Sequence, residues 1–355
     1  MQTTTVGEDR AAEPVHPVRR LIRPVLRPVR RFARPPRGRA RQVAAWCAAL
    51  PLTVVSVVLG CRAADSDGIT PVPQLLAFLP WLLVPALLSL VLAVAARWPL
   101  GCAWALAAAS VTGWFMQPYN PGGPAPRPRG PVVAQLRVLT ANLEFGGATE
   151  GLVEAVRREK PDLVSVQECD TRCGAALDSA ALRAAYPYRK IVTVPGDAAH
   201  GSAILSTYPL TPEAGIAGKL AMPRAVVQVA GRRLHVQVAH PMPPMPGQLD
   251  VWRTELGRLR AYAADRGDDP TLIAGDFNAT QDHAAFRSLL DTGMRDSARS
   301  VGMSRTPSWP TLTTPALGAQ IDHVLVSDAL RPRTARFLDL PHTDHRALLV
   351  DLELY

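Results

Sequence analysis

The 355-residue sequence predicts an α+β protein, a helix-covered sandwich of two antiparallel sheets preceded by three transmembrane helices. Three patterns carry this reading. The stretches 42–61, 72–96 and 99–116 contain no Asp, Glu, Lys or Arg, and each has the roughly 17 to 25 residues that a bilayer core requires. From residue 132 onward, short β-rich runs bounded by turn residues alternate loosely with helical patterns, which suits a meander with helices better than strict βαβ order. Several of those apolar runs stop at carboxylate, amide or imidazole side chains, the places where polar groups emerge from a core into a cleft.

Taken in order, residues 1–41 hold eleven Arg against Glu8, Asp9 and Glu13, and so carry almost all of the formal net charge of +9. Arg alternating with Pro and small residues cannot build a core, so this segment is expected to be a disordered basic tail. Such a tail could bind nucleic acid, but the uncharged stretch that follows at once matches the cationic flank of a cytoplasmic helix end. A cleaved signal peptide would explain the first stretch alone; its apolar run is long for one, and two more stretches follow. With the N-terminus in the cytoplasm, three crossings place everything after Met116 on the outer face. Pro80 and Pro85 are expected to bend the second span, and Ala107, Ala108, Ala109, Ser110 and Gly113 permit close helix packing in the third. Trp114, Phe115 and Tyr119 suit the outer interface. Residues 117–131 form a Pro/Gly linker stiff enough to hold a domain off the membrane. The remaining domain, 132–355, has 24 Lys and Arg against 25 Asp and Glu, a balance that argues against a non-specific nucleic-acid binder.

Inside that domain, 136–142 alternates as a strand, 150–160 is helical, and 162–168 is a second strand ending in Glu168. Runs at 188–194, 202–206, 225–230 and 234–240 read as further strands, 248–264 as a helix, 271–278 as a buried strand, 284–290 as a helix, and 320–326 and 347–352 as the last strands. On a strand running through Phe277, Asp276 and Asn278 share one side and Phe277 is buried on the other.

Six strand ends or adjoining loops carry polar residues: Asn142, Glu168, His240, Asp276 with Asn278, Asp322 with His323, and Asp344 with His345. Each alone has a bland explanation as a turn former, a helix-preceding charge or a satisfied core histidine. Together they supply hard oxygen ligands, donors for a phosphoryl oxygen and an Asp/His pair for proton transfer, the inventory of metal-assisted phosphate-ester hydrolysis.

The motifs TANLEFG (140–146), SVQE (165–168), GSAILSTYPL (201–210), VAHP (238–241), AGDFNA (274–279), QIDHVLV (320–326) and TDHRAL (343–348) resemble, in order, those of the endonuclease/exonuclease/phosphatase superfamily. That group includes pancreatic deoxyribonuclease, abasic-site endonucleases, inositol-polyphosphate phosphatases and bacterial sphingomyelinases. The resemblance implies a four-layer α/β/β/α sandwich of the deoxyribonuclease-like type over 132–355. It implies Mg²⁺, with Mn²⁺ as a substitute, held by Glu168 with Asn142 near it and Asp344 in support. Asp276 would orient or activate the attacking water, Asn278 and His240 would hold the phosphate, and His345 would be the imidazole of a catalytic pair whose tautomer and protonation Asp322 sets. The abasic-site enzymes carry a tyrosine and an asparagine where VAHP places His240, so this histidine sides with the phosphatase and sphingomyelinase branches. With its three-span anchor, the chain is more narrowly similar to the membrane-bound teicoplanin-resistance proteins of actinomycetes.

Cys47, Cys61 and Cys102 lie in or beside the apolar stretches and read as small apolar side chains. Cys169 and Cys173 sit four apart after Glu168, either as a disulfide permitted by an oxidising compartment or as free core thiols. Pro241-Met242-Pro243-Pro244-Met245-Pro246 is a stiff, extended loop with an adaptable apolar face beside His240. It is either a surface connector or a rest for a lipid chain. The expected function is a multi-pass cell-membrane hydrolase with an extracytoplasmic catalytic domain, cleaving a lipid-linked phosphate or pyrophosphate ester of undecaprenyl type. A tethered extracellular nuclease or a sphingomyelinase-like phosphodiesterase is the alternative.

Overall fold

A computed structural model describes residues 36–120, 130–314 and 316–355; the basic tail up to residue 35 and the linker segment 121–129 lie outside the described residues. Side-chain alternation along the strands dictates the layering of the C-terminal part. One six-stranded sheet runs in the spatial order β11 (Leu330–Asp339), β12 (Arg346–Leu354), β1 (Ala134–Asn142), β2 (Leu163–Gln167), β4 (Asp197–Ser206) and β3 (Tyr188–Val194). The other runs β5 (Leu210–Ile216), β6 (Met222–Val229), β7 (Arg232–Ala239), β8 (Thr271–Asp276), β10 (Asp322–Val326) and β9 (Arg295–Asp296).

Leu136, Val138 and Leu163 of the first sheet meet Val236, Val238, Leu272, Ala274, Val324 and Val326 of the second in one buried cluster between the sheets. The alternate residues Leu139, Ala141, Val164 and Val166 face outward and are covered by Leu152, Val156 and Leu177 from the helices Thr149–Glu159 and Thr171–Leu177. On the far side, Ile273 and Leu325 are covered by Trp252, Leu256 and Leu259 of helix Leu249–Asp265 and by Phe286 and Leu289 of helix Ala284–Leu290. Helix, sheet, sheet and helix layers result.

The sheets are mixed rather than antiparallel. β1 pairs with β2, and β7 with β8, in parallel, because in each case the intervening chain contains a helix long enough for a crossover connection. Ser165 Oγ donates to Ala274 O across the two sheets at 2.9 Å. Where β8 closes on β7, Gly275 is obligatory: at φ +156° its missing Cβ would lie 1.9 Å from Ala239 O. That close approach sets the position of the next residue, Asp276.

Toward the N-terminus, helix Arg39–Ala63 is long and apolar enough to cross a membrane. The second apolar stretch is not one helix. It divides into a helix Val72–Ala77, a 3-10 turn Leu79–Leu82 and a helix Leu83–Ala95, because Pro80 lacks the amide hydrogen that a continuing helix needs. The third stretch is helix Pro99–Phe115. Among the described residues two compact units result: 36–56 with Leu83–Ser110, and Val57–Leu82 with the described residues from Val111 to Tyr355. In the first, Ala48, Ala86, Ala93 and Ala105 are buried while Trp46, Leu50, Leu88 and Val91 are exposed.

Cys169 and Cys173 form a disulfide, with Cα atoms 5.2 Å apart. Cys169 precedes helix Thr171–Leu177, so the two residues escape the helical spacing that would hold them apart.

Candidate active site

The inward register that builds the core also builds the site. Following Val236 and Val238, His240 is the next inward position beyond β7; following Leu272 and Ala274, it is Asp276 on β8; following Val138, it is Asn142 on β1. Asp322 opens β10 directly opposite Asp276 in the antiparallel register. All four are buried. Two of the remaining positions rest on strained backbone, Glu168 at φ +54° and Asn278 at φ +47°, a conformation that non-glycine residues adopt at a cost and that recurs at functional sites.

Asn142 ties the carboxylates together: its Nδ2 donates to Glu168 Oε1 and to Asp276 Oδ2, each at 3.1 Å, while its Oδ1 accepts from Glu144 N at 3.0 Å. Glu168 Oε2 accepts from Phe145 N at 2.9 Å. Burial raises the Glu168 pKa above the usual carboxylate range, against the pull of those two hydrogen bonds. Burial likewise pushes Asp276 up to about 7, although His345 nearby draws it down. Asp276 Oδ1 accepts from Asn278 N at 2.7 Å, and Asn278 Nδ2 donates to Pro241 O at 3.0 Å.

His345 Nδ1 bonds Asp322 Oδ2 at 2.9 Å, and its Nε2 lies 3.8 Å from Asp276 Oδ2 and 3.6 Å from Asp344 Oδ1. Burial alone would favour the neutral ring, but Asp322 and then Asp276 outweigh it and hold the pKa at about 10. His345 is therefore an imidazolium at neutral pH. His240 is its opposite: burial, then the charge of His345, pushes it down to about 3. It stays neutral 3.8 Å from Glu168 Oε1.

Thus Asn142, Glu168, His240, Asp276, Asn278, Asp322, Asp344 and His345 converge. His323 does not. It alternates outward with Leu325, bonds Asp296 Oδ2 at 2.7 Å and Ala279 O at 3.0 Å, and packs on Phe277 and Phe286. Burial opposes its charge, but Asp296 prevails and raises its pKa, so this pair contributes stability that is full below about pH 6.5 and is lost as pH rises through the raised value. Asp296→Asn should cost about 2 kcal/mol and lower the Tm by roughly 4 to 8 °C. The difference from wild type should be largest near pH 6 and shrink under alkaline conditions. Thermal unfolding at two pH values checks this, and a gap that widens with pH would contradict the assignment.

Trp309 escapes the sequence reading. Its Nε1 donates to Asp344 Oδ2 at 2.7 Å, fixing one carboxylate oxygen of a loop residue. A lone tryptophan in a Ser/Thr/Pro-rich loop was the available signal. Ser308 Oγ accepts from both Ile321 N and Asp322 N, and Thr343 Oγ1 donates to Asn142 O while accepting from His345 N. Trp309 thus fixes Asp344, Ser308 the start of the strand that carries Asp322, and Thr343 the backbone of Asn142 and His345.

The endonuclease/exonuclease/phosphatase family model matches residues 139–345. The chain belongs to that family. No curated protein matches the chain. Among solved structures, the fold is similar to D. rerio TDP2 complexed with a single-strand DNA product, at 15% identity and TM-score 0.51, covering 62% of this chain and 99% of that one. It is also similar to an AP endonuclease from Archaeoglobus fulgidus, at 18% identity and TM-score 0.50, covering 61% and 98%. As a member of the endonuclease/exonuclease/phosphatase family, the protein is a hydrolase of phosphate ester bonds that depends on a divalent metal.

The residues present fit such an ion. Among the described residues there is no cage of three or more His, Cys, Asp or Glu side chains, and an Mg²⁺-like ion does not require one, since it keeps waters and binds through one or two carboxylates with the substrate. Four carboxyl groups, Glu168, Asp276, Asp322 and Asp344, converge against a single imidazolium. Glu168, Asp276 and Asp344 line one cavity, and among the described residues no Lys or Arg lines it. A site that must take an anionic phosphate while carrying that surplus of negative charge needs a cation.

Proposed function

We propose that this protein is a membrane-anchored, Mg²⁺-dependent phosphohydrolase that cleaves a phosphate or pyrophosphate ester of a lipid-linked substrate, of the polyprenyl type used in the cell envelope, at the outer membrane face. The observation that carries this reading is the cavity itself, about 630 Å³, with the acidic constellation at its floor and apolar side chains such as Phe78, Leu220, Met242 and Ile321 on its walls. Its volume is that of a small-molecule site. A nucleic acid is the weaker candidate: polymer binding rests on several Lys or Arg contacts to phosphates, which this lining lacks among the described residues.

Three membrane crossings, at about 42–61, 79–95 and 99–116, with a cytoplasmic basic tail, a linker at 117–131 and an extracytoplasmic domain at 132–355, complete the proposal; residues 72–78, the start of the expected second span 72–96, lie instead against the catalytic cavity. In support, the apolar helices expose Trp46, Leu50, Leu88 and Val91, a surface that water would penalise and lipid would not, while burying small residues where helices approach.

Glu168, supported by Asp344 and the nearby Asn142, would hold the ion, with Mn²⁺ able to substitute; when bound it supplies Lewis-acid polarisation of a phosphoryl oxygen. The protein's own groups do the rest. Asp276 orients the attacking water and, titrating near neutrality, takes its proton. Neutral His240 offers one ring N–H to the phosphate, and Asn278 its remaining amide hydrogen. The His345 imidazolium, held by Asp322, donates from Nε2 as charge develops on the phosphoryl and leaving oxygens.

This assignment sets the pH profile. Activity should rise as Asp276 ionises, with an acid limb at or below about pH 7 because a nearby cation lowers a carboxylate pKa, and it should fall above about pH 10 as His345 loses its proton. An acid limb above pH 8 would contradict the role of Asp276. The full chain in detergent with Mg²⁺, assayed against prenyl pyrophosphates, phospholipids, nucleic acids and simple phosphomonoesters, tests the substrate class; turnover confined to nucleic acids would overturn the lipid reading.

A further inference from the structure

The segment directly after helix Arg39–Ala63 is not a free connector. Residues 57–82 belong to the same compact unit as the catalytic domain, and they are fastened to it by a series of polar bonds. Asp67 accepts from Ala284 N at 2.6 Å and Ala285 N at 3.1 Å, and Asp65 Oδ1 accepts from Arg287 Nε at 3.1 Å, the guanidinium being almost wholly buried. The carbonyl of Pro73 accepts from His283 Nε2 at 2.8 Å. Gln74 donates to Pro244 O and Arg253 to Gly68 O. Asp65 is largely exposed, but detaching the strap would strand the buried Arg287 guanidinium without its carboxylate and the buried Asp67 without its two amide donors.

This strap reaches the catalytic floor. Pro73, Gln74, Ala77 and Phe78 line the same cavity as Glu168, His240, Asp276, Asp344 and His345. Phe78 lies 6.2 Å, ring centre to ring centre, from Trp309, the residue whose indole N–H holds Asp344. The proline-stiffened loop, whose Pro244 carbonyl accepts from Gln74 of the strap, lines the same cavity with Met242 and Met245. One wall therefore comes from the chain that has just left an apolar helix: Pro73 follows Ala63 by ten residues, so it can lie no more than about 35 Å from that helix end.

We propose that Ala77 and Phe78 of the strap, with Met242 and Met245 of the adjoining loop, form a subsite for the first carbon units of the substrate's hydrocarbon chain, and so set chain-length specificity. This rests on the lipid reading above and deepens it. The chemistry recognised is an aliphatic chain attached to a phosphate, whether isoprenoid or acyl. Four apolar side chains beside a cation-poor phosphate site offer nothing to a second phosphate of a polymer and a good deal to methylene groups, whose burial is favourable in proportion to area. Proline and methionine suit this use, the first by leaving little entropy to lose and the second by adapting to a chain of varied shape.

The test compares substrates that share a head and differ in chain, using the full chain in detergent with Mg²⁺: farnesyl against isopentenyl pyrophosphate, and dioleoyl phosphatidate against glycerol 3-phosphate. Phe78→Ser should reduce the long-to-short ratio of kcat/KM roughly tenfold in at least one pair, the scale set by apolar contacts in a specificity pocket, with the loss chiefly in KM. Phe78→Leu, which keeps an apolar wall and guards against a folding defect, should restore most of the ratio. The pair that responds identifies the chain as isoprenoid or acyl. If lipid phosphates are good substrates and the ratio is unchanged by Phe78→Ser and by Met242→Ser with Met245→Ser, the subsite is wrong while the lipid reading stands. If the wild-type protein cleaves no lipid phosphate, both are wrong.

Discussion

Replacing Glu168 by Gln should lower phosphate-ester hydrolysis at least about a thousandfold, the several kcal/mol of charge stabilisation that a bound ion supplies, while leaving the Tm unchanged or slightly raised. The two halves of this prediction have one cause. Glu168 is a largely buried carboxylate whose pKa is raised by burial, and its hydrogen-bond partners are an amide and a backbone N–H; the nearest ring nitrogen, His240 Nε2, is 3.8 Å away on a neutral imidazole. A charge kept in that setting destabilises the fold and is useful when a cation arrives. The amide keeps the shape of the carboxylate and one of the two hydrogen bonds it accepts, the loss of the other being offset by relief of the buried charge, but it removes the anionic ligand, so calorimetry should show metal affinity falling with activity. Full activity of Glu168→Gln, or of EDTA-treated wild type on every substrate, would remove Glu168 from the metal site.

His345→Ala should cost on the order of 10² to 10⁴ in kcat, the range for a lost general acid or base. Asp322→Asn should cost nearly as much, because the Asp322 carboxylate, 2.9 Å from Nδ1 and fully buried, is the larger of the two charges that hold the ring protonated. Groups that act as one unit are not additive. The double variant should therefore be little slower than His345→Ala alone. Losses that multiply would show that the two side chains act separately. Steady-state kinetics on one substrate, with the pH profile of Asp322→Asn beside it, distinguishes these outcomes: loss of the partner should move the alkaline limb below about pH 10.

Most of the site was legible because it obeys period two. Val236, Val238 and His240 share one face, as do Leu272, Ala274 and Asp276, so an apolar run that faces the core delivers its terminal polar residue into the cleft between the sheets. The same rule separates Asp322 from His323, which point to opposite sides of β10; grouping them by adjacency placed His323 in a constellation it does not join. Parallel pairing of β1 with β2 and β7 with β8 is hidden in the sequence because meander-like strand spacing masks the two helical crossovers. The strands β5 and β11 were missed for another reason. Each is the outer strand of its sheet, with Pro212 or Pro332 and charged residues where a central strand would be apolar, as suits an edge. Trp309 and the strap depend on contacts between residues 35 and about 200 positions apart, which local pattern does not encode. The break at Pro80 was visible in sequence as a bend; that residues 65–78 turn back onto the catalytic unit was not.

The most direct test of the account is the ratio of kcat/KM for a long-chain prenyl pyrophosphate to that for a short single-stranded DNA, measured on one preparation of the full chain with Mg²⁺. The cavity, acidic at its floor, apolar at its walls and lined by no Lys or Arg among the described residues, predicts a ratio well above one, with both activities lost when the metal is chelated. A ratio below one, with DNA cleaved efficiently in Mg²⁺ and the prenyl pyrophosphate left intact, would contradict it.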